Sequence, residues 1–378
     1  MKFQWQLSAT GAAVCFVAAL SGCGGNSAST DSNSSSTTSG STTSTNSATA
    51  NTTSTGSGSG GGGSAALTGA GATFPAPLYT KWFDQYNTAK NVKIDYQSVG
   101  SGAGIKQLTA QTVDFGASDA PLNDKEKAAL RSPVVTIPSV AGAVVVAYNL
   151  AGAPKNMKIT GPALADIYLG KIKTWNDPAL AKINPGVSLP SGAINVVHRS
   201  DGSGTSFIFT NFLASASPDW KEKVGASKQP DWPVGLGGKG NAGVASSVKS
   251  TPGSIGYVEL AYAKQNKMPY ASVQNKAGLF VEPTVEATTA AAEGAAAALK
   301  SDPTAPIANS SGAKAYPIAG FTYLMVYGSA KNPQKGAALK DFLKWAMTDG
   351  QKAAPALDYA PLPKAVADQN LKAIDALK

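Results

Sequence analysis

Residues His198 to Phe207 form the most constraining run in this sequence. The run, HRSDGSGTSF, places a guanidinium, small hydroxyl residues and two glycines directly before an apolar stretch, 207–213, that is typical of a helix. A helix N-terminus has unpaired backbone N–H groups and a partial positive charge, so it attracts anions. Glycine allows close approach of the backbone, hydroxyls add donors, and the arginine fork matches a tetrahedral oxyanion. The run therefore predicts an oxyanion-binding site.

The N-terminal residues have the pattern of an export signal. Lys2 precedes an apolar core, 11–20, that is too short to cross a bilayer. The motif Leu-Ser-Gly-Cys ends at Cys23 and resembles the bacterial lipobox, in which the cysteine becomes the lipidated first residue. The alternative is an ordinary secretory signal with an unrelated cysteine. Both interpretations predict export, and we expect a signal peptide at 1–22 and a lipid anchor on Cys23.

Cysteine content agrees with that interpretation. The chain has 2 cysteines, and Cys15 leaves with the signal peptide, so no intrachain disulfide is expected in an oxidising compartment.

Residues 24–66 are Ser, Thr, Gly, Asn and Ala, with Asp31 as their only charge. Such a segment cannot bury a core. We expect a lipidated cysteine and a disordered tether over 23–66; a glycosylated or adhesive stalk is the alternative.

The remaining residues, 67–378, exceed the usual size of a single core and suggest two lobes. Almost all of the formal net charge of +9 falls in this part, and a positive balance is compatible with attraction of small anions. The basic residues form no block, so we expect no nucleic-acid partner.

Strand, glycine-rich loop and helix alternate along this part. Alternation of this kind predicts parallel α/β sheets, in which ligands bind at the carboxyl ends of strands. Apolar residues at helical spacing after Pro75 predict a helix that buries Trp82. Two apolar strands, 144–148 and 321–327, are candidates for the crossings between lobes. The other predicted elements are strands at 92–96 and 113–117 and helices at 105–111, from 118–121 onward, at 285–300 and at 337–348.

Three further loops before predicted helices are candidates to meet the 198–207 run. They contain Thr73 with Phe74, Ser101, and Asp119. Each has an ordinary alternative as a helix N-cap, and Arg199 with Asp201 has the alternative of a structural ion pair. Repetition of the same arrangement four times favours a shared site.

Two further sequence features do not favour a dinucleotide site or a metal or catalytic histidine site. Gly235, Gly237 and Gly240 match the dinucleotide pattern, but no clear strand precedes them, so we interpret 235–240 as a loop. His198 is the single histidine, which leaves no His/Cys metal cluster and no Ser-His-Asp set with alternatives. We expect no metal and no cofactor, and we interpret His198 as a structural neighbour of the site.

Several stretches, in order along the chain, resemble the phosphate-binding protein of bacterial high-affinity phosphate ABC transporters. The resemblance covers nearly all of 67–378 and is weakest at about 285–314. The lipobox and the tether of this chain are a departure from the family pattern, because many relatives are free in the periplasm. The matching stretches are TGAGATFPAP (68–77), GSGAGIKQL (100–108), VDFGASDAPL (113–122), DIYLGKIKTWND (166–177), HRSDGSGTSFIFT (198–210), GLGGKGN (235–241), GSIGYVELAYAKQN (253–266) and LDYAPLP (357–363).

The resemblance implies a role for each candidate residue. Arg199, buttressed by Asp201, would make charged hydrogen bonds to phosphate. Asp119 would accept a hydrogen bond from a protonated phosphate oxygen. Donors from hydroxyls or backbone N–H groups would come from the other candidates: Thr73, Phe74, Ser101, Ser203, Gly204 and Thr205.

The expected architecture is a two-lobe, type II periplasmic-binding-protein fold. Each lobe would be a mostly parallel sheet flanked by helices, with lobe I formed by 67–143 and 320–378, lobe II by 144–319, and two strands as the hinge. The expected function is binding of phosphate by a monomer in the periplasm or at the cell surface and its delivery to the membrane permease of an ABC importer. The alternatives are an exported phosphomonoesterase and a surface-tethered adhesion protein.

Overall fold

The computed structural model describes residues 66–154 and 157–378. The expected signal peptide, the anchor on Cys23 and the tether up to residue 65 lie outside these residues. Within the described ranges, no helix combines the length and apolar character that a membrane span requires.

Eight strands of the described residues form one sheet in the order β2-β1-β3-β11-β4-β8-β6-β7, and three short strands form a second sheet in the order β10-β9-β5. Their bounds are β1 (Leu67–Gly71), β2 (Ile94–Ser98), β3 (Phe115–Ser118), β4 (Val134–Asn149), β5 (Lys158–Ile159), β6 (Asn195–Arg199), β7 (Leu236–Gly238), β8 (Ser254–Glu259), β9 (Ser272–Gln274), β10 (Phe280–Val281) and β11 (Ala319–Tyr327).

The large sheet is parallel on both flanks and antiparallel in its centre. Strand β1 pairs in parallel with β2 and β3, and β6 pairs in parallel with β7 and β8. The long strand β4 joins the flanks, because 134–143 pair antiparallel with β11 and 144–149 pair antiparallel with β8. The expected strands 144–148 and 321–327 lie within β4 and β11. The expectation of mostly parallel sheets therefore holds for the flanks alone.

Helices cover both faces of the sheet. Their bounds are α1 (Ala76–Lys90), α2 (Ser101–Thr109), α3 (Asp124–Ala129), α4 (Gly161–Tyr168), α5 (Pro178–Ile183), α6 (Gly204–Ala216), α7 (Pro218–Lys223), α8 (Gly240–Ser250), α9 (Leu260–Gln265), α10 (Val285–Gly294), α11 (Ala296–Ser301), α12 (Pro333–Met347) and α13 (Lys364–Asp375), with 3-10 turns at Asp349–Ala353 and Pro355–Leu357.

The predicted helices after Pro75 and at 337–348 bury aromatic side chains, as expected for Trp82 of the first. Trp82 of α1 is fully buried and its indole N–H donates to the carbonyl oxygen of Gly350 at 2.7 Å. Phe342 of α12 packs against Tyr86 with ring centroids 5.2 Å apart. Burial of aromatic surface of this size is the main stabilising contribution of such contacts, and it fixes α1 and α12 on one flank of the sheet.

Some predicted boundaries were wrong. Helix α2 begins at Ser101 and not at 105, because Gly100, with φ of 97°, turns the chain directly from β2 into the helix. The helix expected from 118–121 begins at Asp124, where Asn123 and Glu126 form a reciprocal capping box. Residues 235–240 are not simply a loop, because β7 pairs with β6 and leads into α8. Strands β2 and β3 begin about two residues later than predicted.

Candidate functional site

The candidate residues come from separate strand ends and meet in one place. Thr73 and Phe74 lie between β1 and α1, Ser101 opens α2, and Asp119 follows β3. Arg199 ends β6, and α6 begins at Gly204. All of these residues are buried, whereas Asp201, beside Arg199, is partly exposed. The convergence of strand ends agrees with the position expected for a ligand site in an α/β sheet.

Arg199 is held in place by Asp201. Its Nε donates to Oδ1 at 2.8 Å and its Nη2 donates to Oδ2 at 2.6 Å, a bidentate pair. Its main-chain N–H donates to the hydroxyl of Tyr257 at 3.1 Å. Asp201 also accepts from the main-chain N–H of Gly240 at 3.0 Å. Partial burial raises the pKa of Asp201, but the Arg199 guanidinium and main-chain N–H donors, including that of Gly240, together outweigh it, so that pKa lies below its usual value.

The N-terminus of α6 supplies donors beside this pair. Ser203 is the N-cap, since its Oγ accepts from the main-chain N–H of Ser206 at 3.1 Å. Gly204 follows the N-cap, and its main-chain N–H donates to Ser101 Oγ at 2.9 Å. Thr205 Oγ1 accepts from Arg199 Nη1 at 3.3 Å. The helix terminus, one guanidinium and two hydroxyls therefore face a common point.

Asp119 is the one carboxyl among the described candidates that lies at this point without an ion pair. It is 3% exposed and its Oδ1 accepts no hydrogen bond. Burial raises the pKa of Asp119 to about 7, although Thr322, Arg199 and Thr205 all favour the ionised form. A buried carboxyl with a free oxygen is costly, and that oxygen can accept a hydrogen bond from a ligand.

The backbone at Thr73 and Phe74 is fixed by two tyrosines. The hydroxyl of Tyr262 donates to the Thr73 carbonyl oxygen at 2.6 Å, and the hydroxyl of Tyr359 donates to the Phe74 carbonyl oxygen at 2.7 Å. The ring of Phe74 is fully buried and lies edge-on to Tyr359 at 6.1 Å. These contacts hold the carbonyls of the loop away from the site, which leaves its N–H groups for a ligand.

Residue Asn241 was missed by sequence reasoning. It is fully buried in the first turn of α8, and its Nδ2 donates to Thr73 Oγ1 at 2.8 Å and to Thr205 Oγ1 at 3.1 Å. Glu259 lies behind it and was missed as well. Burial raises the pKa of Glu259 well above its usual value. The available signals were two stretches of the resemblance, GLGGKGN (235–241), which ends at Asn241, and GSIGYVELAYAKQN (253–266), which contains Glu259.

The N-cap alternatives for the loop residues are wrong. The N-cap of α1 is Pro75 and that of α2 is Gly100, so Thr73 and Ser101 cap neither helix. Asp119 precedes the start of α3 by five positions and does not cap it either. The alternative of an ion pair between Arg199 and Asp201 is correct, and the pair lies within the site.

His198 lies beside the site and packs against an aromatic side chain. His198 stacks on Trp232 with ring centroids 4.9 Å apart, and its Nδ1 lies 3.1 Å from the Arg199 carbonyl oxygen. Among residues 66–154 and 157–378, no group of three or more His, Cys, Asp or Glu side chains has the arrangement of a metal site.

Comparison with known proteins gives the family. Residues 29–350 match the model of the PBP superfamily domain. A phosphate-binding protein PstS of Xylella fastidiosa is 48% identical over 298 residues, which cover 79% of this chain and 81% of the relative. The chain belongs to the PstS family. A PstS of Methanocaldococcus jannaschii is 41% identical over 332 residues, with 82% of this chain and 85% of that relative covered.

Solved structures related to the PstS family have the same architecture. A phosphate-binding protein from Stenotrophomonas maltophilia matches with a TM-score of 0.63 and 26% identity, and covers 81% of this chain and 93% of its own. A high-affinity periplasmic phosphate-binding protein, solved with bound phosphate, shares the fold with a TM-score of 0.64 at 22% identity, over 80% of this chain and 92% of its own. The α/β, two-lobe periplasmic-binding-protein fold expected from the sequence is thereby confirmed.

Proposed function

We propose that this protein binds inorganic phosphate between its lobes and delivers it to the membrane permease of an ABC importer. One observation carries the proposal: the buried guanidinium of Arg199 and the carboxyl of Asp119, whose Oδ1 has no hydrogen-bond partner, both lie beside Thr205. A cationic fork matches an oxyanion. A neighbouring carboxyl acceptor is favourable only if the anion also has a proton to donate, and phosphate near neutral pH has one.

The remaining candidates supply the other contacts of the proposed site. The hydroxyls of Thr73, Ser101 and Thr205 donate to phosphate oxygens. The main-chain N–H groups of the 73–74 loop and the N-terminus of α6, at 203–205, complete the set. In this structure the N–H groups of Ser203 and Gly204 donate to the Lys228 carbonyl oxygen and to Ser101 Oγ, so phosphate would replace Ser101 as the acceptor for Gly204. Asp201 acts through Arg199, whose orientation it fixes with two hydrogen bonds.

Lobe closure is part of the proposal. We assign 67–143 and 320–378 to lobe I and 144–319 to lobe II, with β4 and β11 as the hinge strands. Hydrogen bonds join these parts across the site, from Gly204 N–H to Ser101 Oγ at 2.9 Å and from Gly102 N–H to the Gly202 carbonyl oxygen at 2.8 Å. A ligand drives closure only through contacts that are better in the closed state, and a site divided between lobes provides them.

The proposal includes export, anchoring through lipid on Cys23, a monomeric state and the absence of catalysis. Relatives in the PstS family are named as binding proteins. The phosphomonoesterase and adhesin alternatives are therefore not favoured.

Calorimetric titration of the mature full-length protein with phosphate, sulfate and arsenate tests the proposal. We expect tight binding of phosphate, weaker but measurable binding of arsenate, and rejection of sulfate by at least about 100-fold, from a lost buried hydrogen bond together with like-charge repulsion. A parallel assay of phosphomonoester hydrolysis should give no turnover. Equal affinity for sulfate and phosphate, or phosphatase activity, would contradict the proposal.

A further inference from the structure

The side-chain amide of Asn241 bridges two hydroxyls that belong to different parts of the candidate site. Nδ2 donates to Thr73 Oγ1 at 2.8 Å and to Thr205 Oγ1 at 3.1 Å. The threonines lie 132 positions apart in sequence, and under the lobe division proposed above they belong to opposite lobes. Asn241 is fully buried, so water does not compete for these hydrogen bonds.

The orientation of this amide is fixed from behind. The main-chain N–H of Glu259 donates to Asn241 Oδ1 at 2.9 Å. A rotated amide would place its NH2 group against that N–H, which would bring two donors together. Glu259 therefore directs both hydrogens of the amide toward Thr73 and Thr205.

The hydroxyl oxygens of both threonines are fully used as acceptors. Thr73 Oγ1 accepts from the Asn241 side chain and also from its main-chain N–H at 3.2 Å. Thr205 Oγ1 accepts from Asn241 Nδ2 and from Arg199 Nη1 at 3.3 Å. A hydroxyl has two lone pairs and one hydrogen. Each threonine is thus left with its O–H alone, as a donor; the O–H of Thr205 also lies beside Asp119, whose ionised form it favours.

We infer that Asn241 is a positioning residue that makes the hydroxyls of Thr73 and Thr205 obligatory donors to the bound oxyanion. Without it, each hydroxyl could accept as well as donate, and a protonated ligand oxygen could lie against either of them. With it, neither hydroxyl can accept a hydrogen bond from the ligand, which leaves Asp119 as the acceptor for the ligand's proton. The inference rests on the proposed function, because it assigns a role at that same site.

A double-mutant cycle tests this role. Asn241→Leu removes the amide donors at similar size, and Thr73→Val with Thr205→Val removes the hydroxyls through which Asn241 is inferred to act. In the wild-type background, we expect Asn241→Leu to weaken phosphate binding at least tenfold. In the double-valine background, we expect the same change to alter phosphate affinity by less than about threefold. Coupled residues deviate from additivity in such a cycle.

A purely structural role predicts a different outcome, because the loss from Asn241→Leu would then be the same in both backgrounds. That result would overturn the inference. If Asn241→Leu does not fold, as judged by thermal unfolding without phosphate, the cycle is repeated with Asn241→Ala under the same expectation. Wild-type protein that fails to bind phosphate would overturn the proposed function and this inference with it. Wild-type binding with an additive cycle would overturn the inference alone.

A second variant, Asn241→Asp, tests whether residue 241 must donate hydrogen bonds to the two threonines. Asn241→Asp has the same shape, but its ionised carboxylate accepts the two hydroxyl hydrogens that the ligand needs. We expect phosphate affinity at pH 8 to fall at least 100-fold, and more steeply than for Asn241→Leu. Since protonation of the introduced carboxylate restores one donor, part of the loss should be recovered at pH 5. Phosphate affinity within twofold of wild type at pH 8 would contradict the inference.

Discussion

Gly204 lies directly against the main chain of Asp119. A Cβ atom built on Gly204 would be 2.4 Å from the main-chain nitrogen of Asp119, which is far inside contact distance. Residue 204 opens α6 and residue 119 follows β3, so the contact joins two parts of the proposed cleft. A side chain at 204 would keep those parts from meeting as they do in this structure.

The first prediction follows from this contact. We expect Gly204→Ala to weaken phosphate binding at least 100-fold, because the added methyl group prevents closure around the anion. Thermal stability without phosphate should change little, since an open cleft has room for a methyl group. Titration calorimetry and thermal unfolding measure the two quantities.

Gly192→Ala is the matched control for this prediction. A Cβ atom on Gly192 would meet nothing within 4 Å, so phosphate affinity should stay at the wild-type value. An equal loss of affinity in both variants, or none in Gly204→Ala, would show that this contact does not limit closure.

The second prediction concerns Arg199. Arg199→Lys keeps the charge but loses the planar fork that pairs with Asp201, so phosphate binding should weaken. Arg199→Met should cost more, roughly 2–5 kcal/mol, because it also leaves a partly buried carboxylate without its partner. Exposed Arg131 is the control, and Arg131→Met should have no effect. Affinity within twofold of wild type in Arg199→Met would remove Arg199 from the site.

The third prediction concerns the choice between phosphate and sulfate. Sulfate has no proton at pH 8, where Asp119 is ionised, so it would place an acceptor against the acceptor oxygen of Asp119. Asp119→Asn replaces one of those oxygens with a donor, and we expect the sulfate-to-phosphate affinity ratio to rise at least tenfold. Asp124→Asn, at an exposed position in the first turn of α3, should leave the ratio unchanged. An unchanged ratio in Asp119→Asn would assign the acceptor role to another residue.

The fourth prediction concerns pH in the absence of phosphate. Burial raises the pKa of Asp119 from 3.8 to about 7. Protonation therefore favours the closed form over any form in which water reaches this carboxyl. The stabilisation is complete below about pH 4 and is lost as pH rises through about 7. Small-angle scattering should show a larger radius of gyration at pH 8 than at pH 5, and Asp119→Asn should remove the difference.

The fifth prediction concerns an ion pair at the rim of the proposed cleft. Lys228 Nζ contacts Glu126 Oε2 at 2.5 Å with side chains 12% and 21% exposed, and the Lys228 carbonyl oxygen accepts from Ser203 N–H at 2.9 Å. We expect Lys228→Met to raise the phosphate dissociation rate about fivefold, from the loss of about 1 kcal/mol. Stopped-flow measurement of phosphate release tests this.

A more exposed ion pair provides the control for that rate. Lys352 and Asp349 form an ion pair with side chains 79% and 61% exposed, and Lys352→Met should leave phosphate release unchanged. Glu126→Gln should match Lys228→Met, since glutamine still completes the capping box of α3. A release rate that Lys228→Met does not change would assign the pair no part in closure.

Features of the fold that depend on neighbouring residues in sequence could be predicted from the sequence. The apolar face of α1 and the donor-rich start of α6 are visible in sequence because helix periodicity and capping act within a few residues. The start of α3 was open to the same reasoning, because Asn123 and Glu126 have capping-box spacing. The predicted start at 118–121 lies before that capping box and therefore nearer to the candidate site.

Long-range contacts account for what sequence reasoning missed. Strand β7 has three residues and no periodicity of its own, and it forms because β6 supplies its hydrogen-bonding partners. Asn241 resembles an ordinary polar residue near a helix start until the fold brings Thr73, 168 positions away, within 2.8 Å. Glu259 similarly gives no local signal, since its importance depends on burial.

The stacked pair of His198 and Trp232 has a practical consequence. The chain contains 1 histidine, and it immediately precedes Arg199, whose carbonyl oxygen lies 3.1 Å from its Nδ1. A proton NMR spectrum of the protein should therefore contain a single pair of imidazole ring resonances, shifted by the indole 4.9 Å away. Those two signals form an intrinsic reporter of the anion-binding strand, with no label or added reporter group.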